Sequence, residues 1–296
     1  YHQRLIEIIR KLNHESYPIT KGFDITIVST IPMGLGFSSS AALIVAFMGA
    51  LLEVHDHDIP KDRFLRFANF VDKKISEIPL SFSHQISALY GKKGYATFIF
   101  CQKLELKEVP FNLEDYALIV FNTNQHADKL AFTLKSRYAE ISEGTKIITR
   151  HRPIDTLCEV DFESFSTLRQ SMKDASMVKR IEHVIFENDR TLSGFDALLI
   201  NQYPLLGDLM NQSQNALSLL FDVTTAEIDY VVEAARSMNA LGVRMIGPGR
   251  GGAILALFDK ALVPDFKDLQ NAYQKRFKKA LDVYNVQSSD GFHKIL

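Results

Sequence analysis

Apolar residues in the opening stretch YHQRLIEIIRKLNHES recur at Leu5, Ile6, Ile8, Ile9 and Leu12, a helical period that predicts an amphipathic helix with those side chains turned inward. FDITIVSTIP alternates and predicts a strand, which runs straight into the loop PMGLGFSSS. Ala41 to Glu53 has no polar face and good helix formers at most positions, so a helix buried on nearly all sides is expected. Asp62 to Ile75 reads as a further helix. YATFIFC and YALIVFN, rich in β-branched and aromatic residues, read as strands separated by the polar connection QKLELKEVPFNLED. From Lys129 to Met238 the pattern is mainly helical, through KLAFTLKSRYAEISEG, MVKRIEHVIFENDRTLSGFDALL, PLLGDLMNQSQNALSLL and TAEIDYVVEAARSM. Thr224 or Thr225 followed by Glu227 resembles a helix-capping start. GVRMIGPGRGGAILALFDK predicts a strand, a glycine turn and a second strand, with VYNVQSSDGFHKIL as a closing pair.

A chain of 296 residues is long for one core and predicts two compact units, with the seam near Asp115, giving domains 1–115 and 116–296. With 46% hydrophobic and 23% charged residues the composition is that of a globular protein. The net charge of -1 provides no field to draw the chain to nucleic acid or an anionic membrane, which favours a small-molecule partner. Cys101 and Cys158 lie far apart in no metal-ligand spacing, which fits buried thiols in a reducing, cytoplasmic setting. The most apolar segment, Ala41 to Leu52, falls well short of the roughly 20 residues that a membrane-spanning helix needs. The N-terminus lacks the apolar centre of a signal peptide.

The loop Gly34-Leu35-Gly36-Phe37-Ser38-Ser39-Ser40 has the means to hold a phosphate. Two glycines let the backbone turn with its amides exposed, and the following helix N-terminus adds positive potential and free N–H groups. Its serines can cap the helix, bond a phosphate oxygen or ligate magnesium, so a capped turn and a phosphate cradle both remain open. No Gly-Lys-Ser/Thr follows, which excludes the nucleotide-binding P-loop, and the third glycine of the dinucleotide fingerprint is missing. A second cluster, Gly247-Pro-Gly249-Arg-Gly251-Gly252, lies between strands and implies backbone brought close to a ligand or to the first loop.

PMGLGFSSSAAL is similar to the second motif of the GHMP kinases, and RMIGPGRGGAILAL resembles the third. HQISALYGKKGYATFIFC, ALIVFNTN, RIEHVIFENDRTL and LMNQSQNALSLLFDVTTAEIDYVVEAA resemble galactokinases in particular, in the family's order across nearly the whole chain. The resemblance implies an α+β, two-domain GHMP kinase fold, with a ribosomal-S5-like N-terminal domain, incomplete here, and a ferredoxin-like C-terminal domain. It further implies transfer of the γ-phosphate of ATP, with Mg2+, to the anomeric hydroxyl of galactose or a related sugar. Gly34 to Ser40 match the loop that wraps the nucleotide phosphates, and Ser40 matches a magnesium ligand. Asp72, twelve residues before the position of the catalytic base, stands where the family has the partner glutamate of that serine.

Several positions depart from the family. The aspartate that accepts the sugar's proton falls on His84, and a neutral histidine can take a proton near pH 7, whereas a protonated one beside an arginine is repelled. The sugar-facing tyrosine falls on Leu134, or on Lys135 with a one-residue insertion, leaving Tyr138 one turn further on as a substitute. The family's Ser-His pair reads Ser213-Gln214, and Arg250 enters the third motif. Nothing before Tyr17 resembles the N-terminal motif G-R-V-N-x-x-G-E-H-x-D-Y; Tyr1 in mid-helix favours an incomplete sequence, and loss of half of the sugar site is the alternative. Two further readings follow: a catalytically impaired nucleotide- or sugar-binding sensor or structural protein, or a kinase of another small-molecule alcohol.

Overall fold

Ile8 and Leu12 are the fully buried positions of the first helix, α1 (His2–His14), while Leu5 and Ile9 are half-buried and Ile6 faces solvent. The computed structural model describes residues 2–32, 36–76, 81–126 and 130–295. α1 packs against α2 (Ser39–Val54) and α3 (Lys61–Ser76), and both of these pack against α4 (Ser83–Tyr90). Their shared core is Ile8, Leu12, Ile44, Met48, Phe64, Ala68, Val71 and Ile86. An antiparallel hairpin of β1 (Tyr95–Phe100) and β2 (Glu105–Pro110) follows, with Phe98 opposite Lys107. The polar connection read between the strands therefore contains β2, because all six residues from Glu105 to Pro110 find ladder partners in the apolar β1.

The segment FDITIVSTIP is not a strand here. It has no regular secondary structure, and among the described residues no strand pairs with it; the hydrogen bond from the Ile31 amide to Ser29 Oγ, 3.2 Å, is local. An alternating pattern sets which face of a strand is apolar, whereas strand status needs a second chain segment to take its N–H and C=O groups. Val28 is 89% exposed. The burial expected for α2 is likewise incomplete: Ala46 and Ala50 are exposed, and Ala42, Leu43 and Ala46 line a cavity of about 460 Å³ with Ile27, Val28 and Ile31.

Residues 1–111 and 287–296 form one compact unit and residues 112–286 a second. The expected closing strand pair reduces to one strand, Asp282–Val286, and the tail beyond it joins the first unit. There Gly291 N donates to Gly91 O and Phe292 N to Ala88 O, both 2.7 Å, and the Phe292 ring lies where a side chain at Gly49 would be.

In the second unit an antiparallel sheet runs in the order β4-β5-β3-β6. It is built from β3 (Tyr116–Asn122), β4 (Gly242–Ile246), β5 (Ala253–Asp259) and β6 (Asp282–Val286), with Phe121 opposite Ile254 and Leu118 opposite Val286. α5 (Leu130–His151), α6 (Phe162–Leu168), α7 (Ala175–Leu199), α8 (Tyr203–Ala216), α9 (Ala226–Ser237) and α10 (Lys267–Phe277) complete it. Of the two threonines read as a cap, Thr225 is the N-cap of α9, accepting from Ile228 N at 3.4 Å. Ile228, Val231 and Val232 of α9 and Leu269 and Tyr273 of α10 cover Phe121, Ile254 and Phe258 of the sheet. Ile148, Phe165, Ile181 and Ile185 form a separate core between α5, α6 and α7. Both thiols, Cys101 and Cys158, are exposed rather than buried, since one falls in the turn after β1 and the other in a short 3-10 turn. No helix among the described residues is long and apolar enough to cross a membrane.

α8 meets β4 through two glycines. A methyl group at Gly207 would sit 2.6 Å from the Leu241 carbonyl oxygen, and one at Gly242 would run into the Gly207 backbone. Glu187 of α7 is half-buried. Burial pushes its pKa up, but a hydrogen bond from Ser213 and the charges of Arg244 and Arg190 prevail and hold it below the ordinary value. One turn back, His183 stacks on Phe221, its Nδ1 has no partner, and burial lowers its pKa to about 4.

Two outcomes are expected. Gly207→Ala lowers the stability of the second unit by about 1–3 kcal/mol through overpacking against fixed backbone, measurable by urea unfolding. The unfolded chain takes up a proton at His183 below its ordinary value of 6.5 while the folded unit resists until about 4, so stability falls as pH drops through that window. His183→Phe flattens this dependence in urea titrations at a series of pH values.

Candidate active site

The loop before α2 ends in two residues with left-handed backbone, Gly36 at φ 84° and Ser38 at φ 56°. Gly34 and Leu35 of the expected phosphate loop lie outside the described residues. Ser38 occupies the N-cap of α2, yet its hydroxyl caps no backbone amide; it is hydrogen-bonded instead to His84 Nδ1. The bland reading of a serine-capped turn therefore does not describe Ser38. Gly36, Phe37, Ser38, Ser39 and Ser40 are half-buried around the first turn of α2, where the free amides and positive potential of a helix N-terminus are found.

Ser40, in that first turn, donates to Asp72 Oδ1 at 2.5 Å. Asp72 projects from the apolar side of α3 and is only 3% exposed, so its environment must supply what water does not. Gln85 Nε2 donates to Oδ2 at 2.9 Å, and Arg4 Nε on α1 donates to Oδ1 at 3.3 Å. Gln85, itself fully buried, accepts from Asn69 Nδ2 at 3.4 Å, and Asn69 also donates to the Ser81 carbonyl at 3.2 Å. One carboxylate thus draws together side chains from all four helices of the first unit. His84, in the first turn of α4, sits at the edge of this group. Burial lowers its pKa, and the Asp72 charge only partly offsets that effect, so the imidazole is neutral at pH 7.

The sequence pairs Ser40 with Asp72 and places His84 at the base position, and the structure brings these three together with Ser38. Arg4, Gln85 and Asn69 were not singled out by sequence reasoning. Gln85 follows His84 directly in the quoted segment, whereas the one signal for Arg4 is a charge one turn before the buried Ile8 of α1.

The remaining candidates belong to the second unit. Tyr138 lies on α5, 42% exposed, with its pKa raised by partial burial. Gly247, Gly249, Gly251 and Gly252 all have positive φ, from 82° to 145°. A methyl group at Gly249 would lie 2.7 Å from the Val223 carbonyl oxygen, and one at Gly251 would overlap the Gln125 carbonyl. The glycines there are required by crowding within their own unit. Arg250 is half-buried, with φ 59° and its amide donating to Val223 O at 2.7 Å.

Residues 2–92 match the family described as GHMP kinases N terminal domain, and residues 195–279 match GHMP kinases C terminal. The chain belongs to the GHMP kinase superfamily, within its galactokinase-like branch. It is 30% identical over 297 residues to the galactokinase of Thermotoga neapolitana, covering 100% of this chain and 81% of that protein. To the galactokinase of Thermotoga maritima it is 31% identical over 273 residues, 92% of this chain and 75% of that one. The crystal structure of Lactococcus lactis galactokinase complexed with galactose superposes with a TM-score of 0.93 at 26% identity, covering 100% of this chain and 76% of that one. The fold is the mixed helix-and-sheet, two-domain fold of that superfamily, and membership implies use of ATP.

His84 is expected to titrate below the ordinary histidine value of 6.5 in a pH series of its ring proton resonances by NMR. A midpoint at or above that value would show that the Asp72 charge outweighs burial.

Proposed function

We propose that this chain is an ATP-dependent sugar kinase that phosphorylates galactose, or a closely related sugar, at the anomeric hydroxyl. The observation that carries the reading is the match along the full chain to a galactokinase crystallised with galactose. In this reading residues 1–115 are the N-terminal and 116–296 the C-terminal kinase domain, and the protein works in the cytoplasm. Gly34 to Ser40 cradle the nucleotide phosphates, with the amides of the first turn of α2 aimed at them. Phosphoryl transfer of this kind relies on positioning and charge stabilisation more than on covalent participation by the protein.

Hard oxygen donors suit magnesium, and a site of one carboxylate and one hydroxyl completed by substrate phosphates and water is ordinary for that ion. Ser40 Oγ and Asp72 Oδ1, adjacent at 2.5 Å, fit this chemistry, while the described residues contain no cluster of three or more His, Cys, Asp and Glu that would form an all-protein site. Magnesium would be held by Ser40 and Asp72 and would neutralise charge on the transferred phosphoryl group. His84, neutral at pH 7, serves as the acceptor of the sugar's proton, and Tyr138 is assigned to the sugar side. Gly247, Gly249, Gly251 and Gly252 are assigned a supporting role as a rigid turn of their own unit.

A second reading, a nucleotide- or sugar-binding protein with impaired chemistry, draws on one observation: one of the two ring nitrogens of His84, Nδ1, is already hydrogen-bonded to Ser38. One assay separates the two. Protein expressed with whatever native residues precede Tyr1 is expected to release ADP from MgATP only when galactose or a related sugar is added, and homoserine and mevalonate serve as competing alcohols. The rate should fall as pH drops below 6.5, as His84 becomes protonated. His84→Asp is expected to lower the rate at neutral pH by about tenfold or more if His84 is the working base; a steep rise would favour the impaired protein, and no sugar-dependent ADP at all would overturn the kinase reading.

A further inference from the structure

Asp72 is already supplied with a cation. Arg4 Nε lies 3.3 Å from Oδ1, the side chains are 19% and 4% exposed, and Oδ1 is the same oxygen that accepts from Ser40 Oγ. The other carboxylate oxygen is held by Gln85. A divalent ion ligated by Ser40 and Asp72 would have to share Oδ1 with a guanidinium at hydrogen-bond distance, two like charges on one buried oxygen. We infer that Arg4 is a resident counter-cation for Asp72 which a divalent metal must displace, so that Arg4 sets the metal affinity of the site.

Arg4 has no second carboxylate to turn to within α1. Glu7, the acid one turn further on, is already taken by Arg10 at 2.7 Å and Lys74 at 2.5 Å. Exchange of Arg4 for a metal therefore moves a guanidinium from a shielded ion pair without a ready replacement, and the free protein favours the arginine. Asp72, only 3% exposed, is thus compensated by the protein's own groups. Removing one partner of such a pair leaves the carboxylate seeking another cation, and the ion then meets no competitor.

The inference rests on the assignment of Ser40 and Asp72 as the metal pair, and its test involves no turnover. Manganese is titrated into nucleotide-free protein at pH 7.5 and free Mn2+ is followed by electron paramagnetic resonance. Arg4→Gln is expected to bind Mn2+ about tenfold or more tightly than the wild type, Arg4→Lys close to the wild type, and Asp72→Asn to lose binding. Equal or weaker binding by Arg4→Gln, or none, overturns the inference. Should that variant fail to fold, the Arg4 Nε–Hε resonance of the wild type is followed by NMR during a magnesium titration. It should shift as its hydrogen bond to Asp72 is lost, and a resonance that stays in place overturns the proposal. A protein that shows the affinity gain but phosphorylates no sugar would refute the kinase reading alone.

Discussion

A carboxylate taken out of water must be compensated, and in the first unit Asp72 imposes that constraint on every helix. Ser40 from α2, Gln85 from α4 and Arg4 from α1 all reach the one group presented by α3. Apolar contacts such as Ile8, Ile44, Val71 and Ile86 bring these helices together without direction. The hydrogen bonds and the ion pair add direction: they fix which turn of each helix faces Asp72, and hence where the first turn of α2 and the imidazole of His84 stand. The proposed phosphate and divalent-ion site is thus held in place by the network that stabilises its most costly residue.

The second unit solves its packing by different means. α8 approaches β4 more closely than any side chain allows, which only glycine at 207 and 242 permits. The neighbouring acid, Glu187, is kept ionised by Arg244, Arg190 and Ser213, while His183 on the same helix is left neutral by burial. Ser213 and Gln214, which stand where a Ser-His pair is usual, are both occupied structurally. Ser213 bonds Glu187 and accepts from Arg244 Nε at 2.7 Å, and Gln214 Oε1 accepts from the Met245 amide at 2.8 Å. A departure from a family pattern can in this way mark a rebuilt interior contact.

Much of the fold was legible in the chain. The long helices of the second unit and the strands β1, β3, β4 and β5 follow from local period and propensity, and the Thr225 cap is written in adjacent residues. β2 was hidden, because its polar residues face outward and its apolar ones are few. The segment before the loop was misread, because alternation describes a face and pairing is decided by distant residues. α10 and α4 passed unnoticed, one too polar and the other too short for a strong periodic signal.

Of the site, the sequence by itself determined the glycine-serine loop, the pairing of Ser40 with Asp72 and the placing of His84, because these residues sit in ordered segments that resemble those of other kinases. Tertiary structure alone decided their electrostatic state. Arg4 stands 68 positions from Asp72 and Ser38 stands 46 from His84 along the chain, so no local pattern reveals that the acid already holds a cation or that the imidazole already holds a hydroxyl. Charge compensation and burial depend on which groups meet in space, and that is settled only when four helices close around one carboxylate.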